Sequence, residues 1–116
     1  MRSRSAVDDE GAAAAEFAIA LPAVALVLAV CLAGVGVGSQ QLRLQDAAAD
    51  AARGHGRGES PTAVASRVDR AVPGAVVTVG DRGDLVCVVL EAAARGPAVV
   101  TGLTLRAESC ALGGGR

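Results

Sequence analysis

A long uncharged run of apolar residues near the N-terminus dominates the hydrophobic pattern of the chain. It extends from Phe17 to Val37 and contains no charged side chain. A helix needs about 20 such residues to cross a hydrocarbon layer of roughly 30 Å. The pattern therefore predicts a transmembrane helix at residues 17–37. Pro22 lies near its start and is expected to kink it.

After Ser39 the pattern becomes amphipathic. Small apolar residues recur at spacings of three and four between polar ones, namely Leu44, Ala47, Ala48 and Ala51. This periodicity predicts that the helix continues to Arg53, with its charged face in solvent. We therefore expect one long helix over 12–53. The alternation of glycine with polar residues from Gly54 to Gly58 predicts a break and a linker at 54–59.

The segment that follows predicts a short helix. Ser60 is a suitable N-cap, and Pro61 suits the first helical position. Valine then recurs every fourth residue, at 64, 68 and 72, before Pro73-Gly74 ends the pattern.

Three short runs beyond this helix predict β-strands. Ala75–Val79 and Leu85–Leu90 are rich in β-branched residues and indicate a hairpin with a five-residue loop. Gly102–Glu108 alternates apolar and polar side chains, as a half-exposed strand does. The expected fold class is α+β, with a long N-terminal helix and a small domain at 60–112 of one helix and three antiparallel strands. Residues 113–116 are expected to form a flexible tail.

Composition limits what this small domain can be. The chain has 116 residues, of which 52% are hydrophobic and only 1% aromatic, so its core must consist of Val, Leu and Ala. A core of this size seldom supplies more than about 3–5 kcal/mol, so a disulfide or a partner is expected to help. The net charge of −1 gives no reason to expect a nucleic-acid partner.

The three cysteines divide by location. Cys31 lies in the apolar run, whereas Cys87 and Cys110 lie in the small domain. A bond between the latter two would stabilise the domain by roughly 3–4 kcal/mol in an oxidising compartment, and two buried free thiols are the alternative. Cys110 has the parity opposite to Leu103 and Leu105 along its strand, so we expect the bond to require a bulge or an irregular strand end.

Residues that could support catalysis are sparse. The single histidine, His55, lies in the predicted linker, and Asp81 and Asp84 flank a turn glycine. An enzyme would need a nucleophile with a base, a carboxylate pair in a pocket or a metal cluster. We therefore expect no catalytic or metal site, no cofactor and no small-molecule substrate.

The first eleven residues form a leader that differs from a secretory signal peptide. They are polar and of mixed charge, and we expect them to be unstructured and cytoplasmic. A secretory signal would place basic residues directly before an apolar core of about 7–15 residues. Here Asp8, Asp9 and Glu10 take that place, and the apolar run is longer. A lipoprotein signal would end at Cys31, but Val30 stands where that pattern has a small residue.

Glu16 is a lone carboxylate at the threshold of the apolar run. A charged side chain deep in a bilayer costs about 2.5–3.5 kcal/mol on insertion scales, so a buried Glu16 needs a cationic partner. The alternative is a boundary residue that extends its carboxylate to the membrane surface.

The sequence from Gly11 to Pro22, G-A-A-A-A-E-F-A-I-A-L-P, with its alanine-rich continuation to Gly54, resembles TadE-like proteins. These are minor pilins or pseudopilins of the tight-adherence (Tad or Flp, type IVc) pilus. The resemblance implies that a prepilin peptidase cuts after Gly11, which makes Ala12 the first residue and Glu16 the fifth. It also implies that the carboxylate pairs with the new N-terminal amine of a neighbouring subunit.

The same resemblance implies a structural role. Other pilin subunits, the prepilin peptidase and the inner-membrane assembly platform would be the partners. The protein would lie in the cytoplasmic membrane with its N-terminus inside and its small domain outside, and could then enter an extracellular pilus. The alternative is a single-pass anchored or exported extracytoplasmic binding protein that does not polymerise.

Overall fold

The computed structural model describes residues 2–114, and side-chain surroundings from Asp9 onward. The last two residues of the predicted tail, 115 and 116, lie outside the described residues. The elements in chain order are helix α1 (Arg2–Gly56), helix α2 (Pro61–Ala71), strand β1 (Val76–Arg82), strand β2 (Leu85–Ala93), a 3-10 helix (Gly96–Thr101) and strand β3 (Thr104–Leu112). The predicted α+β class is confirmed.

The chain divides into two compact units, Met1–Gly34 and Val35–Arg116. In the first unit every described side chain from Asp9 to Leu32 is exposed, including Phe17 at 67% and Ile19 at 77%. Helix α1 contains a window of mean hydropathy 2.7, so by length and composition it could cross a membrane. An apolar helix with no packed face has the properties of a membrane anchor.

Helix α1 is longer than the sequence pattern predicts at both ends. It begins at Arg2, so residues 2–11 are helical where we expected an unstructured leader. No proline or glycine pair separates this segment from the alanines at 12–15, and alanine is the strongest helix former. The helix also continues past Arg53 to Gly56, where Gly54 approaches Arg67 of α2 and Gly56 approaches Leu112 of β3.

The core of the second unit lies between the two helices and one face of the sheet. The predicted stripes of α1 and α2 both face it, and the buried residues are Leu44, Ala47, Ala48, Ala51, Ala52, Val64, Val68, Val72, Val88, Leu90, Ala92, Leu105 and Ala107. The side chains are small and aliphatic, as the composition requires. No described polar or charged residue is buried with them.

Helix α2 has the ends that its sequence predicts. Ser60 Oγ accepts a hydrogen bond from the Ala63 backbone N–H at 3.2 Å, and Pro61 occupies the first turn. At the other end the Val72 N–H donates to the Val68 carbonyl at 2.7 Å. Gly74 then turns the chain with a φ of 79°.

The sheet is antiparallel with strand order β1-β2-β3. The predicted five-residue hairpin loop is wrong, because Arg82 pairs with Leu85 and leaves only Gly83 and Asp84 in the turn. Gly83 has a φ of 63°, which suits the first central position of a type II′ turn. Strand β1 extends through Asp81 and Arg82 because these residues pair with Val86 and Leu85 of β2.

Candidate assembly site

The residues of the proposed processing site lie on one exposed stretch of helix α1. Gly11, Ala12 and Glu16 are all helical and exposed. A Cβ added at Gly11 would meet nothing within 4 Å, so packing in the described structure does not require glycine there. Ala12 and Glu16 are four residues apart, which places them on the same helix face with a rise of about 6 Å. An amine at Ala12 would therefore start one turn from the Glu16 carboxylate.

Pro22 lies inside α1, between the processing site and the middle of the apolar run. Proline lacks the N–H that would donate to the carbonyl four residues earlier. The Ala18 carbonyl is therefore left without its usual partner in the helix.

Glutamines of α1 bind the outer edge of strand β3. Gln41 Nε2 donates to the Arg106 carbonyl at 2.8 Å, and Gln45 Nε2 donates to the Glu108 carbonyl at 3.0 Å. Four helical residues rise about 6 Å and two strand residues about 6.8 Å, so the two repeats match. These bonds satisfy carbonyls that an edge strand would otherwise present to another chain.

Gln40 makes a two-way contact at the start of this row. Its Nε2 donates to the Ala93 carbonyl at 2.8 Å, and its Oε1 accepts from the Arg95 backbone N–H at 2.9 Å. It thus fixes the chain between β2 and the 3-10 helix. The sequence pattern identified polar helix positions here but not their partners. The sequence signal for these contacts is the presence of glutamine, rather than a charged residue, at positions 40, 41 and 45.

The glycines at the end of α1 are sites of close approach. A Cβ at Gly56 would lie 2.5 Å from the Leu112 carbonyl oxygen, and one at Gly54 would lie 2.6 Å from Arg67 Nη2. Both distances are shorter than any normal contact. The glycines that we interpreted as a linker therefore bring α1 against β3 and α2. His55 accordingly lies in the last turn of α1, half-buried, rather than in a flexible linker.

Arg67 of α2 joins the two helices through acidic groups. Its Nη1 lies 2.7 Å from Glu59 Oε2, and its Nε lies 3.3 Å from Asp50 Oδ2. Arg57 Nη2 contacts the other oxygen of Glu59 at 2.7 Å. The hydrogen bond from Arg57 is the largest cause that holds the pKa of Glu59 below its usual value. Desolvation is the next largest and opposes it, and the charges of Arg67 and Arg57 lower the pKa further.

Cys87 and Cys110 face each other across β2 and β3. Their Sγ atoms are 2.06 Å apart and their Cα atoms 4.0 Å apart. The strand register pairs them directly, and no bulge interrupts it. Our expectation of a bulge is wrong because Val86, Val88 and Leu90 take the core face of β2. Cys87 therefore faces away from the helices, which is the side that the parity of Cys110 requires.

An ion pair crosses this outer face of the sheet. Arg82 Nη1 lies 2.8 Å from Glu108 Oε1. The two residues pair with β2 on either side of Cys87, at Leu85 and at Val89. Gly80 is directly opposite Cys87 and contributes no side chain, which leaves room for the bridge. Cys87 is 4% exposed although it points away from the core.

The other sequence candidates are dispersed. Asp81 lies in β1 and Asp84 in the turn, and both are exposed. Cys87, Glu108 and Cys110 have potential ligand atoms within 4.8 Å of one another, but the two sulfurs are at bonding distance from each other. Cys31 is exposed on α1 and has no disulfide partner.

Comparison with known proteins gives one match. No curated protein and no solved structure matches the chain significantly. A family model described as TadE-like protein matches residues 11–53. The matched segment begins at Gly11, contains Glu16 and the whole apolar run, and ends three residues before the end of α1. Over residues 11–53, which are less than half of the chain, the protein is similar to the TadE-like family, and this similarity is consistent with a component related to the Tad pilus.

Proposed function

We propose that this protein is a minor pilin or pseudopilin, a structural component or assembly primer of a Tad-type (type IVc) pilus or a related secretion apparatus. The observation that carries the proposal is the starting point of the family match. The match begins at Gly11, the residue after which a prepilin peptidase would cut. The acidic residues before Gly11 then belong to a removable leader, and the apolar run stays on the mature protein.

The chemistry of assembly depends on Glu16. Cleavage creates an α-amine at Ala12, one turn from the Glu16 carboxylate. In a single subunit this carboxylate at the apolar boundary raises the free energy of the inserted state, by up to about 2.5–3.5 kcal/mol if it moves to the bilayer centre. Pairing with the amine of a neighbouring subunit removes that cost. The same residue therefore disfavours deep insertion of the isolated protein and favours its packing against other pilins.

The exposed apolar helix and the small domain have different proposed roles. The side chains of 17–32 are exposed in the part of the chain that the structure describes, which leaves them available first to lipid and then to other pilin subunits. The prepilin peptidase and the inner-membrane assembly platform are the proposed partners in the membrane. The globular part beyond α1 suits a minor rather than a major subunit, since it provides a distinct surface outside the membrane.

The orientation we propose places the N-terminus in the cytoplasm and the small domain outside. The disulfide between Cys87 and Cys110 supports this, because disulfides persist in oxidising compartments and are rare in the cytosol. The bond joins β2 and β3 in a domain whose core contains no aromatic residue, so the constraint is valuable there.

A pair of matched substitutions tests the proposal. Glu16→Gln removes the carboxylate, and Glu10→Gln makes the same change in the leader that cleavage would discard. In cells with a complete Tad system, we expect Glu16→Gln to abolish recovery of the protein in sheared fibres. Glu10→Gln should leave recovery unchanged. Equal recovery of both variants in the fibres would contradict the role of Glu16, and absence of the unsubstituted protein from the fibres would favour the anchored binding protein that does not polymerise.

A further inference from the structure

The two ends of the second unit differ in polarity. One end consists of residues 71–76 and 92–104, which we call the apolar end; Arg95 is its one charged residue. The opposite end contains the hairpin turn and the connection between the helices. Its charged residues are Arg57, Glu59, Asp81, Arg82 and Asp84. This uneven distribution of charged residues indicates that the two ends of the second unit contact different environments.

The two segments of the apolar end are in contact. Arg95 Nη2 donates to the Pro73 carbonyl at 2.5 Å. Pro73, Gly74, Arg95 and Val99 also line one open depression of about 440 Å³. The segments therefore form one continuous surface.

This surface exposes large aliphatic side chains. Val100 is 87% exposed, Val99 60% and Val76 62%, and Leu103 is 46% exposed. The first two lie on the 3-10 helix, which projects between β2 and β3. Glu91 pairs with Val76 across the sheet, and Asp69 Oδ1 accepts from the Gly74 N–H at 3.4 Å, so carboxylates lie at the margin of this surface. Isolated apolar residues are common on protein surfaces, but a group of four at one end of the unit suggests a surface that lipid or another molecule covers.

Within the second unit, the apolar end lies beside residues 37–40 of α1. Gln40 binds Ala93 and Arg95 at this end, whereas Gly56 approaches Leu112 at the other. Helix α1 and strand β3 therefore run in the same direction. Val37, the last residue of the apolar run, packs against the core of this same unit. If the run spans a bilayer, the apolar end meets the surface of that bilayer.

We propose that the apolar end contacts the outer surface of the lipid bilayer from which α1 emerges. Val99 and Val100 enter the boundary between the headgroups and the acyl chains, and Arg95 lies at the level of the lipid phosphates. The positive charge of Arg95 is complementary to those phosphates, and its apolar stem tolerates the interface. The contact holds the small domain against the membrane before assembly. It depends on membrane insertion of α1, which is part of the proposed function, but not on pilus formation.

Site-specific labelling of the purified full-length protein in phosphatidylcholine/phosphatidylglycerol vesicles tests this contact. Cys31 provides an internal label for the span, because Cys87 and Cys110 are bonded to each other. A second protein carries Cys31→Ala and Val100→Cys, and a third carries Cys31→Ala and Asp84→Cys at the charged end. Each receives the same environment-sensitive fluorophore. Nitroxide-bearing lipids and aqueous iodide then serve as opposing quenchers.

We expect lipid nitroxides to quench the labels at 31 and 100, with iodide quenching at 100 at least threefold weaker than at 84. Equal iodide quenching at 100 and 84, with the label at 31 still reached by lipid, would overturn the membrane contact and leave insertion intact. Protection at 100 only after other pilins are added would assign the surface to a subunit interface and also overturn the proposal. A label at 31 that lipid does not reach would overturn both insertion and this inference.

Discussion

Gly56 of helix α1 lies so close to the Leu112 carbonyl that a Cβ on the glycine would be 2.5 Å from that oxygen. The glycine is therefore required by the packing of the helix end on strand β3. The contact partner is backbone, so relief requires movement of the strand or the helix. The end of α1 and the end of β3 are thus held together without any side chain between them.

This contact predicts a large effect from one methyl group. Gly56→Ala should lower the free energy of unfolding of the full chain in detergent micelles by about 1–3 kcal/mol, the usual cost of overpacking. Guanidinium titration followed by circular dichroism measures it. Gly38→Ala is the matched control, since a Cβ there meets nothing within 4 Å. That change should leave stability equal or higher by up to about 1 kcal/mol. Equal effects of both substitutions would contradict the close approach.

The glutamine contacts predict a local weakening of the edge of β3. Gln45→Ala removes the donor to the Glu108 carbonyl and should destabilise the domain by about 0.5–1.5 kcal/mol. Hydrogen exchange of the β3 amides should become faster by the corresponding factor of roughly 2–12. Arg43→Ala, two residues earlier on the same helix, is the control. Faster exchange in the control than in Gln45→Ala would argue against the glutamine as the anchor.

The structure also shows where sequence patterns suffice in this chain. The buried stripes from Leu44 to Ala51 and from Val64 to Val72 lie where the periodicity predicts. The spacing of small aliphatic residues within each helix is enough to determine which face is buried. Helix α2 begins at Pro61, as its capping signal requires. These features depend on neighbours in sequence.

Other features depend on tertiary contacts that no local pattern contains. Glycines at 54 and 56 can either end a helix or allow another element to pack closely against it. Their contacts with α2 and β3, which the local sequence does not contain, decide in favour of close packing. Strand β3 runs to Leu112, beyond the predicted end at Glu108, because pairing with β2 and not alternation sets its length. At the proposed processing site the spacing of Gly11 and Glu16 is visible in the sequence, whereas the partner that we propose for the carboxylate would belong to another molecule.

The cysteine geometry predicts one free thiol in protein isolated from the extracytoplasmic side. Alkylation without reduction should modify Cys31 alone, and alkylation after reduction should modify all three cysteines, as mass spectrometry can count. Replacing both Cys87 and Cys110 by alanine should lower stability by about 3 kcal/mol, given the 23-residue separation that the bond closes. Cys31→Ala should leave stability unchanged. Three reactive thiols without reduction would contradict the bond and weaken the proposed orientation.

The contacts of Glu59 predict a small pH dependence with a defined sign. The hydrogen bond from Arg57 keeps the folded-state pKa of Glu59 below its ordinary value of 4.5. The resulting stabilisation is fully present above about pH 4.5 and is lost as pH falls through the lower folded-state pKa. It should be modest and sensitive to salt, because the pair is at the surface.

Carboxyl carbon shifts followed by NMR measure this titration. Arg57→Gln should move the midpoint of Glu59 upward, toward its ordinary value, whereas Arg53→Gln removes a charge one turn earlier and should have less effect. A midpoint that stays in place after Arg57→Gln would show that Arg57 is not the main cause.

The mass of the mature N-terminus tests the central claim most directly. The full chain should be expressed in cells with an active prepilin peptidase and in matched cells without it, and the N-terminal peptide measured in each membrane fraction. The account predicts a chain that begins at Ala12 when the peptidase is present and at Met1, or the residue after it, when the peptidase is absent. A chain that begins near Cys31 or Gly34, or one that keeps its first eleven residues despite active peptidase, would contradict it.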